Sequence, residues 1–211
     1  MNLAFKSPVN AVLRPDLAAI ADMVQEGSRV LDIGCGDGTL LEYLVQTKGV
    51  DGRGLELSQQ NVNQCVARGL SVVQGDADTD LGEYPSGIFD FVILSQTIQA
   101  TRHPRLVLNE LLRIGNHVIV SFPNFGHWRV RLSLMFRGRM PITRALGHFW
   151  YDTPNIHLCT IEDFLVLVRQ VGGRIERAVA LVGYERTRKI PGNTLGANLF
   201  AEGAIFRLTK N

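Results

Sequence analysis

Residues 30–40 read VLDIGCGDGTL, and this stretch decides the predicted fold. Its first residues are typical of a short buried strand, and its last residues open a helical pattern of apolar side chains. The glycines between them let backbone amides approach a ligand closely, at the carboxyl end of a strand where open α/β sheets bind ligands. Gly34, Gly36 and Gly38 form GxGxG and not the GxGxxG of dinucleotide sites, because residue 39 is Thr39.

Three acidic residues stand at the ends of successive predicted strands. Asp32 precedes the glycines, where a carboxylate suits a ligand with an ammonium or sulfonium group better than a pyrophosphate. Glu56 follows 24 residues later, where an acid usually takes ribose hydroxyls. Asp76 comes after the third strand, where it could accept a hydrogen bond from an adenine amino group. Together with the glycine turn, these signals resemble the class I S-adenosylmethionine (SAM)-dependent methyltransferases.

This resemblance implies SAM or S-adenosylhomocysteine as the cofactor. The cofactor-binding residues that we expect around the turn are Asp32, Gly34, Cys35, Gly36, Asp37, Glu56, Leu57, Asp76, Ala77 and Ser95. Cys35 fits the turn as a small residue rather than as a nucleophile, because nothing adjacent would activate its thiol. We expect no metal site, because the three cysteines show no CxxC or Cys/His ligand spacing.

Strand and helix patterns alternate outward from this turn, which predicts a doubly wound α/β sheet, mostly parallel and seven-stranded. A leading helix is expected over about 13–26, and Thr160 with Asp163 predicts a capping box at a later helix. We expect one domain over residues 1–211, with an insertion over about 122–159. The predicted strands are 29–33, 52–57, 70–74, 89–94, 117–122, 174–182 and 203–209.

Composition limits the classes of protein to which the chain can belong. The chain has 211 residues, of which 45% are hydrophobic and 20% charged, and its net charge is +2. This is an ordinary globular balance, and the small net charge argues against binding nucleic acid through bulk electrostatics. The start lacks the long apolar core of a signal peptide, and no run is long enough for a membrane span. We therefore expect a soluble cytoplasmic protein that binds neither nucleic acid nor membrane.

The insertion has a composition of its own. Residues 121–141 read SFPNFGHWRVRLSLMFRGRMP, and no Asp or Glu occurs from Leu111 to Tyr151. Its helical pattern has an apolar stripe and a basic stripe. One interpretation is a lid that caps the sheet and turns its arginines to water; another is a surface for a partner protein, since Arg and Trp are enriched at interfaces. The apolar stripe is Trp128, Leu132, Met135 and Phe136, and the candidate partner-binding residues are Trp128, Arg129, Arg131, Arg137 and Arg139.

Four blocks together resemble the methionine biosynthesis protein MetW family: RVLDIGCGDGTLLEYL, FDFVILSQTIQA, SFPNFGHWRVRLSLMFRGRMPIT and FWYDTPNIHLCTIEDF. The last two are the more specific, because general methyltransferases lack them. The resemblance implies a role in methionine synthesis and a methyltransferase-like fold. It also implies association with MetX, the homoserine O-acyltransferase, whose acyl transfer the family promotes.

Two functions remain in competition. The first is an accessory protein that activates the acyltransferase and senses SAM or S-adenosylhomocysteine as the product of the pathway. The second is a SAM-dependent methyltransferase acting on a small molecule, with Trp150, Tyr151, Asn155 or His157 facing the methyl group. Residues 94–104 carry no Asn/Asp-Pro-Pro-aromatic motif and no carboxylate–histidine pair is evident, so the catalytic residues stay unknown.

Overall fold

The structure is a computed structural model that describes residues 13–143, 146–183, 186–190 and 194–211. Its described strands form one sheet in the order β3-β2-β1-β4-β5-β8-β6-β7. The strands are β1 (Arg29–Ile33), β2 (Asp51–Glu56), β3 (Ser71–Gln74), β4 (Phe89–Ser95), β5 (Gly115–Pro123), β6 (Gly173–Val182), β7 (Arg186–Lys189) and β8 (Gly203–Lys210).

The first five strands run parallel, and β8, β6 and β7 are joined antiparallel at one end of the sheet. The predicted doubly wound and mostly parallel architecture is therefore confirmed, although the sheet has eight strands and not seven. The strand missing from the prediction is β7, whose four residues are all exposed. Its sequence, RTRK, has no apolar residue, so it carries no alternation of apolar and polar side chains that could mark it as a strand.

Helices cover both faces of the sheet. They are α1 (Pro15–Ala21), α2 (Thr39–Lys48), α3 (Gln59–Ala67), α4 (Pro104–Ile114), α5 (Trp128–Arg137), α6 (Ile161–Gln170) and α7 (Leu195–Phe200). Strand β4 shows why two layers are needed, because successive side chains point to opposite faces. Phe91 and Ile93 belong to a core cluster with residues of α1 and α2, whereas Val92 and Leu94 belong to a second cluster with residues of α4 and α6.

The leading helix is shorter than the predicted range of about 13–26. It ends at Ala21, although the apolar positions Met23 and Val24 beyond it remain buried in the core. The Lys48 ammonium donates hydrogen bonds of 2.6 Å to the carbonyls of both Ala21 and Val24, and so satisfies carbonyls at the end of the helix. Apolar periodicity therefore continues past the last helical turn. The predicted capping box of Thr160 is present at the start of α6.

The insertion leaves the sheet after β5 and returns at α6. Its helix α5 has one buried residue among those described, Val130. The apolar stripe faces outward, with Phe136 74% exposed and Trp128 38% exposed, so it does not pack on the sheet as a lid would require. Within the described parts of the chain, no helix is both long and apolar enough to cross a membrane.

Candidate functional site

The glycine turn after β1 has a backbone that other residues would strain. Gly34, Gly36 and Gly38 have φ angles of +67°, +57° and +80°, in the left-handed region that L side chains rarely adopt. A Cβ on Gly34 would also lie 2.6 Å from the Thr97 hydroxyl oxygen, and one on Gly38 would lie 2.8 Å from the Cys65 sulfur. Space and backbone conformation both explain why this turn needs glycine.

Glu56 fixes the turn from the end of β2. Its two carboxylate oxygens accept hydrogen bonds from the backbone amides of Gly36, at 2.8 Å, and of Ser58, at 2.9 Å. The turn and the start of α3 are therefore held by one side chain. Oε1 also accepts from the Asn61 amide at 3.4 Å, whereas Oε2 has a further lone pair with which Glu56 can accept from a ligand hydroxyl.

Asp32 lies beneath the turn and is only 2% exposed. Burial raises the pKa of its carboxyl group from 3.8 to about 7, and the negative charge of Glu56 contributes to the increase. An uncompensated carboxylate here is therefore costly near neutral pH. A ligand with a positive charge close to Asp32 would lower that cost.

A cavity of about 430 Å³ opens beside the glycine turn, and we call it the turn cavity. It lies at the carboxyl ends of β1, β2 and β3, where the acids were expected. Its described lining is Ile33, Gly34, Leu55, Glu56, Leu57, Asn61, Gly75, Asp76, Ala77, Asp78, Gln96, Thr97, Ala100, Thr101, Pro154 and Asn155.

Five of the ten predicted cofactor residues line this cavity: Gly34, Glu56, Leu57, Asp76 and Ala77. The other five support the turn or stand behind it, and they are Asp32, Cys35, Gly36, Asp37 and Ser95.

Each supporting residue has a partner or a packing role. Asp37 accepts from the backbone amide and hydroxyl of Thr39 at the start of α2. The Ser95 hydroxyl lies 3.1 Å from that of Ser121. Burial raises the pKa of the Cys35 thiol, which makes a thiolate nucleophile at this position unfavourable and agrees with a packing role.

The loop after β4 supplies cavity residues that the sequence analysis did not identify. Gln96 has a φ of +55°, the one positive value found for a non-glycine residue among those described. Its backbone amide donates to the carbonyl of Ser121 and lies 3.1 Å from the Ser121 hydroxyl oxygen, so β5 holds it in place. Strained backbone of this kind clusters at ligand sites. No sequence pattern marks Gln96, because glutamine has no special preference for this conformation.

Asp78 is a second residue that the sequence analysis missed. Its carboxylate accepts from the backbone amides of Arg102 and His103, which joins the loop after β3 to the start of α4. His103 thus stands at the beginning of α4 and is absent from the described lining of the cavity. Asp76 also accepts from the Asp78 amide and lies 3.9 Å from the Arg102 guanidinium.

The residues proposed to face a methyl group divide between two environments. Asn155 lines the turn cavity, but Trp150 and Tyr151 are exposed on the surface. His157 lines a separate small cavity beside α6. Among the described lining residues of the turn cavity there is no histidine, lysine or tyrosine, so its candidate proton acceptors are carboxylates.

The insertion forms a second cavity, of about 930 Å³, which we call the arginine cavity. Arg129, Arg137 and Arg139 line it, whereas Arg131 donates to the carbonyl of Gly126 and is absent from the described lining. Three of the five predicted partner-binding residues thus line this cavity. A fourth, Trp128, lies beside it, because the Arg129 guanidinium stands 5.3 Å from the centre of its ring in a cation–π contact.

Comparison with known proteins identifies the family. The model of the methionine biosynthesis protein MetW family matches residues 14–208. The chain belongs to the MetW family. It is 35% identical over 209 residues to the bifunctional methionine biosynthesis protein MetXA/MetW of Rhodopirellula baltica, covering 94% of this chain and 33% of that protein. It is also 37% identical over 102 residues to the fatty-acid O-methyltransferase of Mycolicibacterium smegmatis, covering 46% of this chain and 36% of that enzyme.

Solved structures confirm the fold of this MetW-family chain. A SAM-dependent methyltransferase from Thermotoga maritima aligns with a TM-score of 0.69 and 20% identity, covering 93% of this chain and 87% of that one. A SAM-dependent methyltransferase from Archaeoglobus fulgidus aligns with a TM-score of 0.65 and 21% identity, covering 93% and 92%. The chain spans about a third of the length of the curated relatives it matches.

Proposed function

We propose that this MetW-family chain is an accessory protein that binds a homoserine O-acyltransferase and raises its activity. The observation that carries the proposal is the Rhodopirellula baltica relative, whose name joins MetXA and MetW in one bifunctional protein. Two domains on one chain are held at a high effective concentration relative to each other. Separate chains with the same roles need a binding surface to achieve this.

The exposed side of the insertion supplies a candidate surface. The apolar stripe on α5 lies outward, and Phe149, Trp150 and Tyr151 form an aromatic cluster on the same insertion, with Trp150 72% exposed. The rings of Phe149 and Tyr151 are stacked with centroids 5.4 Å apart. Exposed apolar surface of this kind marks interaction sites, and aromatic residues often dominate their binding energy. Trp128 and Arg131 remain candidate contact residues beside it.

The same proposal gives the turn cavity to SAM or S-adenosylhomocysteine. Support comes from the glycine turn, from the acids at the ends of three strands, and from the methyltransferase fold. The buried Asp32 favours a ligand that carries a positively charged group; both compounds have an ammonium group, and SAM also has a sulfonium. Binding regulates the partner only if the ligand favours one state of the complex over the other.

The direct test measures homoserine O-acyl transfer by the acyltransferase of the same organism, with and without this chain. We expect a large rise in rate. Phe136→Glu should abolish most of that rise, because it places a charge in the apolar stripe. Leu106→Glu is the matched control, since Leu106 is also a highly exposed apolar residue on a helix, but on α4. An unchanged rate would overturn the activator proposal, and equal effects of the two variants would overturn the assigned surface.

A SAM-dependent methyltransferase is the second candidate. The observation that favours it is the turn cavity itself, because the insertion residues Pro154 and Asn155 help to line it. The partial similarity to a fatty-acid O-methyltransferase agrees with this. Transfer of label from methyl-labelled SAM to metabolites of a cell extract tests it. Labelled product would support this candidate, and its absence beside an active acyltransferase complex would exclude it.

A further inference from the structure

The arginine cavity and the turn cavity both lie on the side of the sheet where the parallel strands have their carboxyl ends, but at the ends of different strands. Three lining residues of the arginine cavity lie next to strand ends. Asn124 directly follows β5, Gly183 directly follows β6, and Glu202 directly precedes β8. Those three strand ends are neighbours, because Gly203 pairs with both Pro123 and Leu181. The turn cavity is formed instead at the ends of β1, β2 and β3. The two cavities share no described lining residue.

Helix α5 directs its basic stripe into this cavity. Arg129, Ser133 and Arg137 are spaced four residues apart, so they lie on one helix face, and all three line the cavity. Arg139 joins them because α5 ends at Gly138, whose φ of +59° turns the chain back. An ordinary surface helix would turn arginines to water and apolar residues to the protein. Here the apolar stripe is exposed and the basic stripe faces a concavity.

The described residues do not balance the positive charge in the cavity. Neither Arg137 nor Arg139 has a carboxylate within ion-pair distance among the described residues, and Arg129 contacts Trp128. The one carboxylate in the described lining is that of Glu202. Among the described residues, three arginines and one acid thus line the cavity, and an anion that enters would lower the electrostatic free energy.

The neutral groups in the cavity also favour an anion. His127 accepts a hydrogen bond from the Arg129 amide through Nδ1, so the neutral ring carries its hydrogen on Nε2 as a donor. Burial lowers the pKa of His127, and the neighbouring Arg129 lowers it further, while Glu202 acts in the opposite direction. The Ser133 hydroxyl donates a long hydrogen bond of 3.5 Å to the Arg139 carbonyl, which ties Arg139 to the basic face of α5. Val130, Met140 and Ile142 give the cavity an apolar wall.

We propose that the arginine cavity binds the phosphate or diphosphate group of a small organic molecule. Guanidinium groups recognise phosphate oxygens through paired hydrogen bonds, and three arginines line this cavity. The apolar wall suits an organic arm attached to the phosphate. A volume of about 930 Å³ is large enough for such a molecule. The site is chemically opposite to the turn cavity, whose charged lining residues are acidic.

Calorimetric titration of the full chain with inorganic pyrophosphate tests the proposal, with coenzyme A as an organic diphosphate and citrate as a carboxylate anion. We expect saturable binding of pyrophosphate at one site that weakens as salt is added. Tighter binding of coenzyme A would assign the apolar wall to an organic arm, and equal binding would assign recognition to the phosphates alone. Failure of both phosphate compounds to bind, or equally tight binding of citrate, would overturn the proposal.

Charge-matched variants separate the cavity from bulk attraction. Arg137→Gln with Arg139→Gln should weaken pyrophosphate binding on the order of 100-fold, because each removes charge-assisted hydrogen bonds. Arg105→Gln with Arg169→Gln removes the same charge from exposed positions on α4 and α6. This control pair should change the affinity for pyrophosphate by less than about twofold. Equal weakening by both pairs would contradict a specific site.

Two further variants test the charge balance and the location of the site, and a gain of binding in the first is a result that a loss of folding would not reproduce. Glu202→Gln should strengthen pyrophosphate binding, because it removes the one described acid in the lining. Ser133→Trp keeps every arginine but fills the cavity from the same helix face, so it should block binding. Weaker binding by Glu202→Gln with an unchanged unfolding transition would refute the assigned charge balance. Binding that persists in Ser133→Trp would refute the assigned location.

Discussion

Asp32→Asn tests whether the buried carboxyl beneath the glycine turn costs stability. Its pKa is raised from 3.8 to about 7. At a pH between these two values, Asp32 is therefore protonated in the folded chain and ionised in the unfolded chain. Stability contributed by this group therefore falls as pH rises from about 4 to 7 and is constant above that window. Linkage between the two pKa values gives a loss of roughly 2–3 kcal/mol between pH 5 and pH 8. Asparagine has nearly the same shape and cannot ionise.

Urea unfolding of the wild-type chain and of Asp32→Asn at pH 5 and pH 8 measures this loss. The difference in unfolding free energy, variant minus wild type, should be more positive at pH 8 than at pH 5 by roughly 2–3 kcal/mol, because only the wild type must ionise a buried group. Asp152→Asn is the control, since water solvates this exposed carboxylate in both states. A difference that is equal at the two pH values, or larger at pH 5, would refute the reasoning about burial.

Two other substitutions test the geometry of the site by urea unfolding. Gly34→Ala should destabilise the chain by about 1–3 kcal/mol, because it strains a left-handed residue and drives a Cβ into Thr97; an unchanged midpoint would show that the turn relaxes freely. Asn124→Ala should cost about 3 kcal/mol, because the buried amide of Gly126 loses its acceptor and two buried carbonyls lose a donor. The exposed Asn63→Ala should change stability by less than about 0.5 kcal/mol, and a comparable loss there would contradict the assignment.

Strong local chemistry explains which parts of the fold could be predicted from the sequence. Strand β4 is an apolar run buried on both faces, so its pattern has one natural interpretation. The capping box at Thr160 depends on two side chains three residues apart, and it is present as predicted. The edge strand β7 was not predicted, because its pairing with β6 depends on backbone hydrogen bonds. Such bonds do not require a particular pattern of side chains in an exposed polar sequence.

The orientation of α5 shows a different limit. Periodicity correctly predicts that Arg129, Ser133 and Arg137 share one face, because spacing alone determines that. Spacing does not determine which face of α5 meets the rest of the protein. That depends on residues far along the sequence, and here Gly183 and Glu202 border a cavity opposite the basic face. The positive φ of Gln96 is likewise imposed by neighbours on β5. Tertiary context of this kind cannot be inferred from a local pattern.

The two edges of the sheet differ in how they resist pairing with another chain. At one edge, β7 presents Arg186, Arg188 and Lys189, and like charges would repel an identical strand brought alongside it. At the other edge, β3 reads SVVQ, has no charge, and exposes Val73. A sheet edge without charge is a template for a new strand. Aggregation of this chain by strand addition is therefore favoured at β3, and a lysine there would be the natural substitution for improving its behaviour at high concentration.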